Sequence, residues 1–506
     1  MSKMFKNTMS DFIFRYIDNN QKCLIINSPV ENFPEKVSKL FNETFCLQIK
    51  NDSNKKEINF TDVKFLNFKN FKNYFSPNSI DLILINDWTD FHSDKIIFSN
   101  ILNEAQKILK KHACILFFMD KQISKVDSLN NFKNIQSILE NQNFQISKDW
   151  ILPSTSNPIY SGNLSNLQSL TWFLQNIENF IPSFKKKSFK KNLFFKSIKI
   201  LNRKILPFFI KFFTPSFIVC CSQDEIKSYE SHLLDKTKLK SSIFVNRPFK
   251  LMYILFDTYG NPKQTVSLEK NMLNVSGDEN FFTKLDEIAK HRDWVEGRII
   301  DPLNSNEVLY AISWIIDFQK DNQQNIFKSD EIDIEINSIR EILSNILKLK
   351  KYPISEWISE YENFLKNNSI HKTSIHGDLS HKNMILKPDM KNIEVIDWDF
   401  FKKTGNPLAD IGSFLFRLLT KSKTDTKIIA FKLKLQENDQ DFNNLRNEIE
   451  DQFSNYFNLN FNILLPIKYH LLKSLSTKIL NNDDLSLDLE YVSILSKIPN
   501  KNISYD

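Results

Sequence analysis

The scarcity of glycine constrains this chain more than any other feature of its sequence. The 506 residues contain seven glycines, and residues 1–161 contain none. Three of the seven, Gly377, Gly405 and Gly412, fall within or just after the stretch SIHGDLSHKNMILKPDMKNIEVIDWDF (374–400). Glycine tolerates positive φ and close backbone approach, so it persists where backbone geometry leaves little choice. We therefore expect tight, functionally important turns around residue 377, and no glycine-rich loop in the first 161 residues.

The length and composition predict a protein of two or three domains. A chain of 506 residues exceeds what one hydrophobic core usually serves, and 41% hydrophobic with 25% charged residues is ordinary for a globular protein. The net charge is +7, but only eight of the 67 basic residues are arginine. This mild excess of lysine is weak evidence for nucleic-acid binding, and we expect no nucleic-acid partner.

The sequence also bears on location. It opens without the apolar core of a signal peptide, and no uncharged run reaches the roughly 18 residues that span a bilayer. The basic, phenylalanine-rich segment 185–221 suits a helix that covers its own domain, which we prefer, or peripheral contact with an anionic membrane. The cysteines lack the spacing of metal ligands and predict reduced thiols in a cytoplasmic protein; they are Cys23, Cys46, Cys114, Cys220 and Cys221.

The first ~150 residues alternate apolar strand candidates with amphipathic stretches, a pattern typical of a parallel sheet flanked by helices. The strand candidates are residues 22–29, 45–51, 79–87 and 113–120. Residues 94–112, between the last two strands, have apolar side chains at helical spacing and a basic end suited to a helix C-terminus. We therefore predict an α/β Rossmann-like domain with a parallel sheet over residues 1–222.

The order of these elements resembles that of class I S-adenosylmethionine methyltransferases. Residues 81–120 are similar to the fourth strand, the following helix and the fifth strand of that family, with a turn at 110–113 (KKHA). The glycine-rich turn that approaches the cofactor in the family is replaced by 27–30 (NSPV), where side chains fill the space and Pro29 removes an amide donor. We therefore do not expect S-adenosylmethionine to bind, and predict a degenerate domain kept for packing or partner binding.

A second pattern follows the polar stretch 223–242, which we predict to be a linker or connecting helix. Residues 249–271 predict two strands around a turn at Gly260, and helical periodicity dominates from about 306 to 367. The remainder of the chain contains the glycine-bearing stretch described above. We assign residues 243–506 to one further domain.

The glycine-bearing stretch has the spacing of a kinase catalytic loop. HGDLSHKN places Asn383 five residues after Asp378, and Asp397 follows at the end of a predicted strand. Phosphoryl transfer needs a carboxylate beside the acceptor hydroxyl, and an amide oxygen and a second carboxylate can hold magnesium. A hairpin turning at 388–391 would bring Asn383 and Asp397 side by side, and Gly377 would permit the turn that aims Asp378 into a cleft.

These motifs resemble those of the aminoglycoside phosphotransferase and choline kinase-like family, a branch of the protein-kinase fold. SIHGDLSHKNMIL, EVIDWDF and GNPLADIGSF match three ordered motifs of the family. The resemblance implies a bilobal α+β protein-kinase-like domain that uses ATP and Mg²⁺. The site residues that it implies are Asp378 as catalytic base, His376 as the residue that braces the loop, Asn383 and Asp397 as magnesium ligands, and Gly377 and Asp410 as structural residues.

The predicted small lobe departs from the family pattern. The strand lysine that grips the α- and β-phosphates in the family aligns with Ser267, and Lys270 lies three residues later. DWVEGRII (293–300) resembles the strand and hinge at the edge of the family's nucleotide pocket. Lys270 and Glu296 are therefore the candidate nucleotide-binding residues, and Glu279 is the nearest candidate for the glutamate that pairs with the lysine.

Two functional classes stay open, with a third beside them. The first, which we adopt, is an ATP-dependent phosphotransferase acting on a hydroxyl of a sugar, amino alcohol or related metabolite, and the intact Asp378, Asn383 and Asp397 favour it. The second is a catalytically reduced scaffold, which Ser267 favours. The third is a bifunctional methyltransferase and kinase.

Overall fold

The structure is a computed structural model in which the chain divides into two compact units, 1–294 and 295–506. This division differs from the predicted domains, 1–222 and 243–506 with a linker at 223–242, which stay predictions. The structure describes residues 13–16, 22–26, 33–48, 62–67, 74–86, 95–120, 136–154, 157–176, 216–222, 226, 228–247, 250–273, 281–348, 351–422, 426–435 and 440–498.

The described strands of the first unit belong to one 12-stranded sheet. They are β1 (Lys22–Ile26), β2 (Glu43–Gln48), β3 (Val63–Asn67), β4 (Ile80–Asn86), β5 (Leu109–Asp120), β6 (Gln145–Ser154), β7 (Asn157–Asn163), β8 (Ser216–Ser222), β9 (Ser241–Asn246), β10 (Lys250–Phe256), β11 (Pro262–Glu269) and β12 (Lys290–Asp293). The helices are α1 (Phe33–Ser38), α2 (Lys95–Ile108), α3 (Leu167–Gln175), α4 (Tyr229–Thr237) and α5 (Phe281–Ile288), with 3₁₀ turns at Phe14–Tyr16 and Lys270–Met272.

One half of this sheet is Rossmann-like, as predicted. Strands β3, β2, β1, β4 and β5 pair in parallel in that order, and β8 lies antiparallel between β5 and β6. The apolar runs of β1 and β4 are buried on both faces, as expected for parallel strands covered by helices. The predicted turn at 110–113 is instead part of β5. The pairing of β4 with β5 shifts in register there: Ile80 pairs with Leu109, whereas Leu82 pairs with Cys114.

The other half of the sheet is an antiparallel meander of β9, β10, β11 and β12. The predicted hairpin of β10 and β11 is confirmed, and Gly260 in its turn has a φ of +78°. Strand β7 pairs with β9 through Tyr160 opposite Val245 and Ser161 opposite Phe244. The sheet therefore runs without interruption from the Rossmann-like half into the meander.

Buried ionic contacts also join the two halves of the sheet. Arg15, which is 1% exposed, pairs with Glu230 of α4, lies 3.3 Å from a carboxylate oxygen of Asp149 on β6, and donates a hydrogen bond to Ser161 on β7. Burial opposes the charge of Arg15, but Glu230 and the other neighbouring groups raise its pKa. Residues distant in the sequence are thus held around one buried cation.

The second unit is mainly helical. Its helices are α6 (Ser305–Asp321), α7 (Ser329–Ile342), α8 (Ser344–Leu347), α9 (Ile354–Asn367), α10 (Leu408–Leu419), α11 (Lys427–Leu435), α12 (Gln440–Phe457), α13 (Leu464–Leu480) and α14 (Ser486–Leu495). Its strands are β13 (Arg298–Ile299), β14 (Gln323–Ile326), β15 (His371–Ile375), β16 (Met384–Leu386), β17 (Ile393–Val395) and β18 (Lys402–Gly405), in sheets of order β13-β16-β17 and β14-β15-β18. The predicted helical region and the hairpin of β16 and β17 are confirmed. Antiparallel β9–β12 followed by this helical unit is the α+β composition of a protein-kinase-like fold.

Two further predictions concern the thiols and the membrane. Cys23, Cys46 and Cys114 are buried and free, as expected. Of the basic segment 185–221, for which we prefer a helix that covers its own domain over membrane contact, only residues 216–221, in β8, are described. Within the described ranges, no helix combines the length and apolar character needed to cross a membrane.

Candidate active site

The loop between β15 and β16 is fixed to the first turns of α10. The carboxylate of Asp410, which is buried, accepts hydrogen bonds from the backbone N–H groups of His376, at 2.7 Å, and Gly377, at 2.9 Å. Burial raises the pKa of the Asp410 carboxyl, although these two N–H groups favour its ionised form. One buried side chain therefore sets the backbone position of the loop.

Gly377 makes the sharp bend of this loop. Its φ is +88°, and a Cβ atom there would lie 2.4 Å from the carbonyl oxygen of Phe400. Both the backbone angle and the close approach exclude larger residues without a shift of the chain. The bend presents the next residue, Asp378, at the surface, where its side chain is 47% exposed.

His376 connects the loop to the hairpin of β16 and β17. Its Nε2 lies 2.9 Å from the carbonyl oxygen of Ile396, and its Nδ1 accepts from the backbone N–H of Asp378 at 3.3 Å. In the neutral ring with its proton on Nε2, Nε2 donates to the carbonyl oxygen of Ile396 and Nδ1 accepts from Asp378. The ring also packs against Trp398, with 4.8 Å between centroids. His376 thus contacts both the backbone of Asp378 and the hairpin, and its role in bracing the loop stays a prediction.

Asp378, Asn383 and Asp397 come together at the end of the hairpin. The side-chain amide of Asn383 donates to the carbonyl oxygen of Asp378 at 2.9 Å, and the carbonyl oxygen of Asn383 accepts from the backbone N–H of Ile396 at 2.8 Å. Asp397 follows directly, with a φ of +66°, and its charge contributes to raising the pKa of Asp378. The loop and the hairpin therefore bring the three predicted residues to one place.

The donor atoms of Asn383 and Asp397 suit magnesium. Because the amide nitrogen of Asn383 donates to Asp378, the side-chain oxygen is directed elsewhere and can serve as a ligand. Asp397 adds carboxylate oxygens, and Mg²⁺ prefers oxygen ligands of these kinds. In the portions of the chain that the structure describes, no three or more His, Cys, Asp and Glu side chains are grouped as a metal site. Asn383 and Asp397 together offer a pair of oxygen donors.

Arg417 of α10 lies beside Asp378, and the sequence analysis missed it. Its Nη2 atom is 3.7 Å from Oδ1 of Asp378, and its side chain is 45% exposed. Burial raises the pKa of Asp378, while the charge of Arg417 acts in the opposite direction. The available signal was positional: Arg417 follows Asp410 by seven residues, two turns further along the same helix face.

Helix α10 is held closely against α13. A Cβ atom on Gly412 would lie 2.1 Å from the carbonyl oxygen of Pro466, so the helices approach at backbone distance. The ring of His470, one turn after Pro466, packs against Phe416 with 4.9 Å between centroids. Burial, with a smaller contribution from the charge of Arg417, lowers the pKa of His470 to about 4. His470 is therefore neutral near pH 7 beside the arginine.

The predicted hinge segment is anchored by a second arginine. Arg298 donates to both carboxylate oxygens of Glu307, at 2.7 and 2.8 Å. Gly297 has a φ of +142°, and a Cβ atom there would lie 2.3 Å from the carbonyl oxygen of Leu386. The adjacent Glu296, a candidate nucleotide-binding residue, is exposed. The sequence analysis did not identify the contact between Arg298 and Glu307.

The small-lobe positions singled out in the sequence lie in β11 and in the turn that follows it. Ser267 lies within β11, opposite Met252 on one side and Lys290 on the other. Lys270 begins the 3₁₀ turn that follows β11. Lys270 and Glu296 belong to different compact units, and their roles stay predictions. Glu279 and the turn at 27–30 lie outside the described residues.

Comparisons with known proteins give similarities of fold at low identity. The choline kinase LicA from Streptococcus pneumoniae is 12% identical, with a TM-score of 0.32, over 53% of this chain and 98% of its own. The ADP-bound aminoglycoside phosphotransferase APH(2'')-Ib is 14% identical, with a TM-score of 0.31, over 53% of this chain and 96% of its own. A SAM dependent methyltransferase from Aquifex aeolicus is 12% identical, with a TM-score of 0.25, over 30% of this chain and 86% of its own.

No protein-family model and no curated protein matches the sequence. The similar solved structures include methyltransferases as well as kinase-like enzymes. The strand order defines the fold, and the geometry of the loop and the hairpin defines the site.

Proposed function

We propose that this protein is an ATP-dependent phosphotransferase whose acceptor is a hydroxyl group of a small molecule. The observation that carries the proposal is the convergence of Asp378, Asn383 and Asp397. One residue can take a proton, and the other two offer oxygen ligands for magnesium.

In this reaction, the carboxylate of Asp378 accepts the proton of the acceptor hydroxyl as the hydroxyl oxygen bonds to the γ-phosphorus of ATP and ADP leaves. Asn383 and Asp397 would hold magnesium, which, when bound, neutralises charge on the phosphate oxygens. His376 and Asp410 keep the backbone of the loop in position. We assign Lys270 to the phosphates in place of the absent strand lysine.

The test is a calorimetric titration of the full chain with ATP, in the presence and in the absence of magnesium. We expect magnesium-dependent binding in the high-micromolar range or tighter. Asp397→Ala should weaken it, and Asn383→Ala should weaken it less, because an amide oxygen is the weaker ligand. The matched control is Glu394→Ala, which removes a half-exposed carboxylate, paired with Lys387, from the same hairpin. Equal affinity of the parent and the Asp397 variant at saturating magnesium would contradict the proposed metal site.

A scaffold without catalysis is the second candidate, and Ser267 is the observation that favours it. A serine in the middle of β11 cannot reach phosphates as a lysine does. The same titration separates the candidates, because a scaffold of this kind binds no ATP in a magnesium-dependent way. A restored Ser267→Lys variant provides a further comparison: a large gain in affinity for ATP would favour the scaffold, whereas little change would favour Lys270 as the substitute.

A further inference from the structure

We propose that Arg417 binds an anionic group of the acceptor, so that the substrate is an acidic hydroxyl compound such as a hydroxy acid or a phosphorylated polyol. This inference rests on the proposed phosphotransferase function, because it assigns the chemistry of the acceptor at the same site. It separates this protein from enzymes whose acceptors carry a positive charge. The evidence is the geometry of Arg417, its contrast with other arginines of the chain, and the charges around it.

Arg417 lies close to the proposed base without closing onto it. The 3.7 Å between Nη2 of Arg417 and Oδ1 of Asp378 is too long for a hydrogen bond. Among the residues that the structure describes, the guanidinium of Arg417 donates no hydrogen bond. Both side chains are about half exposed, at 45% and 47%, so solvent and solutes can reach the space between them. A planar group with five N–H donors is thus available to a ligand.

Two other arginines of similar exposure show how this chain builds a structural ion pair. Arg298, 48% exposed, contacts both carboxylate oxygens of Glu307 at 2.7 and 2.8 Å. Arg340, 44% exposed, lies 2.6 Å from a carboxylate oxygen of Glu362. A loose pair at 3.7 Å contributes little to stability by comparison. The position of Arg417 is therefore better explained by a ligand than by an ion pair with Asp378.

The helix that carries Arg417 is closely packed. This helix is α10, whose Gly412 meets the backbone of Pro466 and whose Phe416 packs against His470. The planar guanidinium presents its N–H donors in a fixed fork, so it loses less conformational entropy per hydrogen bond when it binds a carboxylate or phosphate. This arrangement suits bidentate recognition of an anion next to the reacting hydroxyl.

The charges around the site are compatible with an acidic acceptor. Asp378 and Asp397 would repel such an acceptor, and the charge of Arg417 offsets this repulsion. A cationic acceptor would be attracted by the two carboxylates, but its charged group could not lie against Arg417. Lys382, which is exposed, adds a second positive charge whose field also reaches Asp378. The neighbouring His470 adds no charge near pH 7.

Chemical modification of the full chain tests this inference without knowledge of the natural acceptor. Phenylglyoxal reacts with accessible arginines, and peptide mass spectrometry can follow each of the eight arginines separately. The probes are the acids glycerate and glycerol 3-phosphate, with glycerol as the neutral and choline as the cationic counterpart. Each is added at about 10 mM, which occupies most of a site whose dissociation constant is about 1 mM. We expect both acids to slow the modification of Arg417 severalfold, without an effect of glycerol or choline. Arg298 and Arg340 are the matched controls and should be unaffected.

The outcomes separate this inference from the proposed function. If neither acid protects Arg417, or if glycerol protects it equally well, the inference is overturned. This holds whether or not the protein binds ATP. Selective protection in a protein that fails to bind ATP with magnesium overturns the phosphotransferase but keeps the anion site. Magnesium-dependent ATP binding without protection keeps the phosphotransferase and removes the acidic acceptor.

Kinetics provide the second measurement. With an acidic acceptor, Arg417→Gln should raise KM about ten- to hundredfold, and Arg417→Lys should raise it less. Arg340→Gln is the control and should leave KM unchanged. An equal fall of kcat with acidic and neutral acceptors would mean that Arg417 acts on the transferring phosphoryl group, which contradicts acceptor recognition.

Discussion

At the scale of single residues, the choice of arginine over lysine is informative. Lysine is the default base of this chain, and arginine supplies eight of 67 basic residues. The described Arg15, Arg298 and Arg340 hold carboxylates, and Arg417 lies beside the proposed base. At these positions the planar guanidinium of arginine, with its five N–H donors, differs in effect from the compact ammonium of lysine. At these four positions the donor geometry of arginine therefore matters beyond its charge.

The first prediction concerns Asp378. Asp378→Asn should lower kcat by about 10² to 10⁴, because it removes a positioned base. The affinity for ATP should change little, since the carboxylate addresses the acceptor. Steady-state kinetics and calorimetry measure the two quantities separately. Asp333→Asn is the control, because Asp333 is also a half-exposed, ion-paired aspartate of the same unit, 2.9 Å from Lys366. A variant that retains most of its rate would mean that Asp378 is misassigned.

The second prediction concerns the pH dependence of the reaction. Burial raises the pKa of Asp378 and the charge of Arg417 lowers it. A base must be ionised, so kcat/KM should fall as the pH drops through this pKa, at a higher pH than for an ordinary aspartate. Arg417→Gln removes the opposing charge and should move this acid limb to higher pH. Profiles of kcat/KM against pH measure the shift, and Arg340→Gln should leave the limb in place. An unmoved limb in the Arg417 variant would show that the arginine does not influence the base.

The site was predictable from the sequence to the extent that it is local. Asp378, Asn383 and Asp397 lie within 20 residues on one loop and one hairpin. Their spacing in the sequence therefore largely determines their relative positions. Arg417 comes from a helix, and its approach to Asp378 depends on the packing of α10 against α13. Helix packing leaves no motif in the sequence.

At the scale of elements, local patterns identified the strands and helices that bury a regular apolar face. Strands β1, β4 and β5, helix α2 and the hairpin of β10 and β11 were predicted from alternation and helical periodicity. Strand β9, in contrast, lies next to a polar stretch that predicted a linker, although all six of its residues are buried. Its stability comes from its neighbours β7 and β10, which are distant in sequence.

The third prediction concerns the contact of α10 with α13. An alanine normally stabilises a helix by about 1 kcal/mol relative to glycine. Gly412→Ala should instead lower the free energy of unfolding by about 1 to 3 kcal/mol, because the new methyl group would meet the backbone of Pro466. Gly405→Ala, whose Cβ would meet the end of the Ile375 side chain, should cost less. Urea unfolding measures both, and a more stable Gly412 variant would show that α10 is not held at backbone distance.

The fourth prediction concerns His470 on α13. Burial and the charge of Arg417 lower the pKa of His470 from 6.5 to about 4. The unfolded chain then takes up a proton near pH 6.5 while the folded chain stays neutral, so stability is present above this pH and is lost as the pH falls towards 4. His470→Leu removes this loss, and its unfolding free energy should fall less between pH 7.5 and pH 5, by about 1 to 2 kcal/mol. Parallel urea titrations at the two pH values measure the difference, and identical losses would contradict a histidine that stays neutral in the folded chain.

At the scale of the whole molecule, the first unit joins two recognisable patterns in one sheet. The residues from both patterns share hydrophobic cores on each face: Tyr16 and Cys23 pack in one cluster with Tyr253, and Trp150 packs in another with Ile254. The sequence could not indicate this union, because a pairing between residues about 80 positions apart, β7 with β9, leaves no local pattern.

The last prediction follows from this continuity. A fragment of residues 1–294 should unfold cooperatively in urea, whereas a fragment of residues 1–225 should not, although it contains every strand of the Rossmann-like half. The shorter fragment lacks β9, so β7 becomes an edge strand and the apolar face around Trp150 is exposed to water. It also lacks Glu230, which leaves Arg15 with one carboxylate partner fewer, and an incompletely paired buried charge costs about 3 to 5 kcal/mol. Circular dichroism during urea unfolding and hydrogen exchange of β1 and β4 measure the difference. If the shorter fragment unfolds cooperatively at a similar midpoint, the Rossmann-like half is an independent domain and the shared sheet contributes little to its stability.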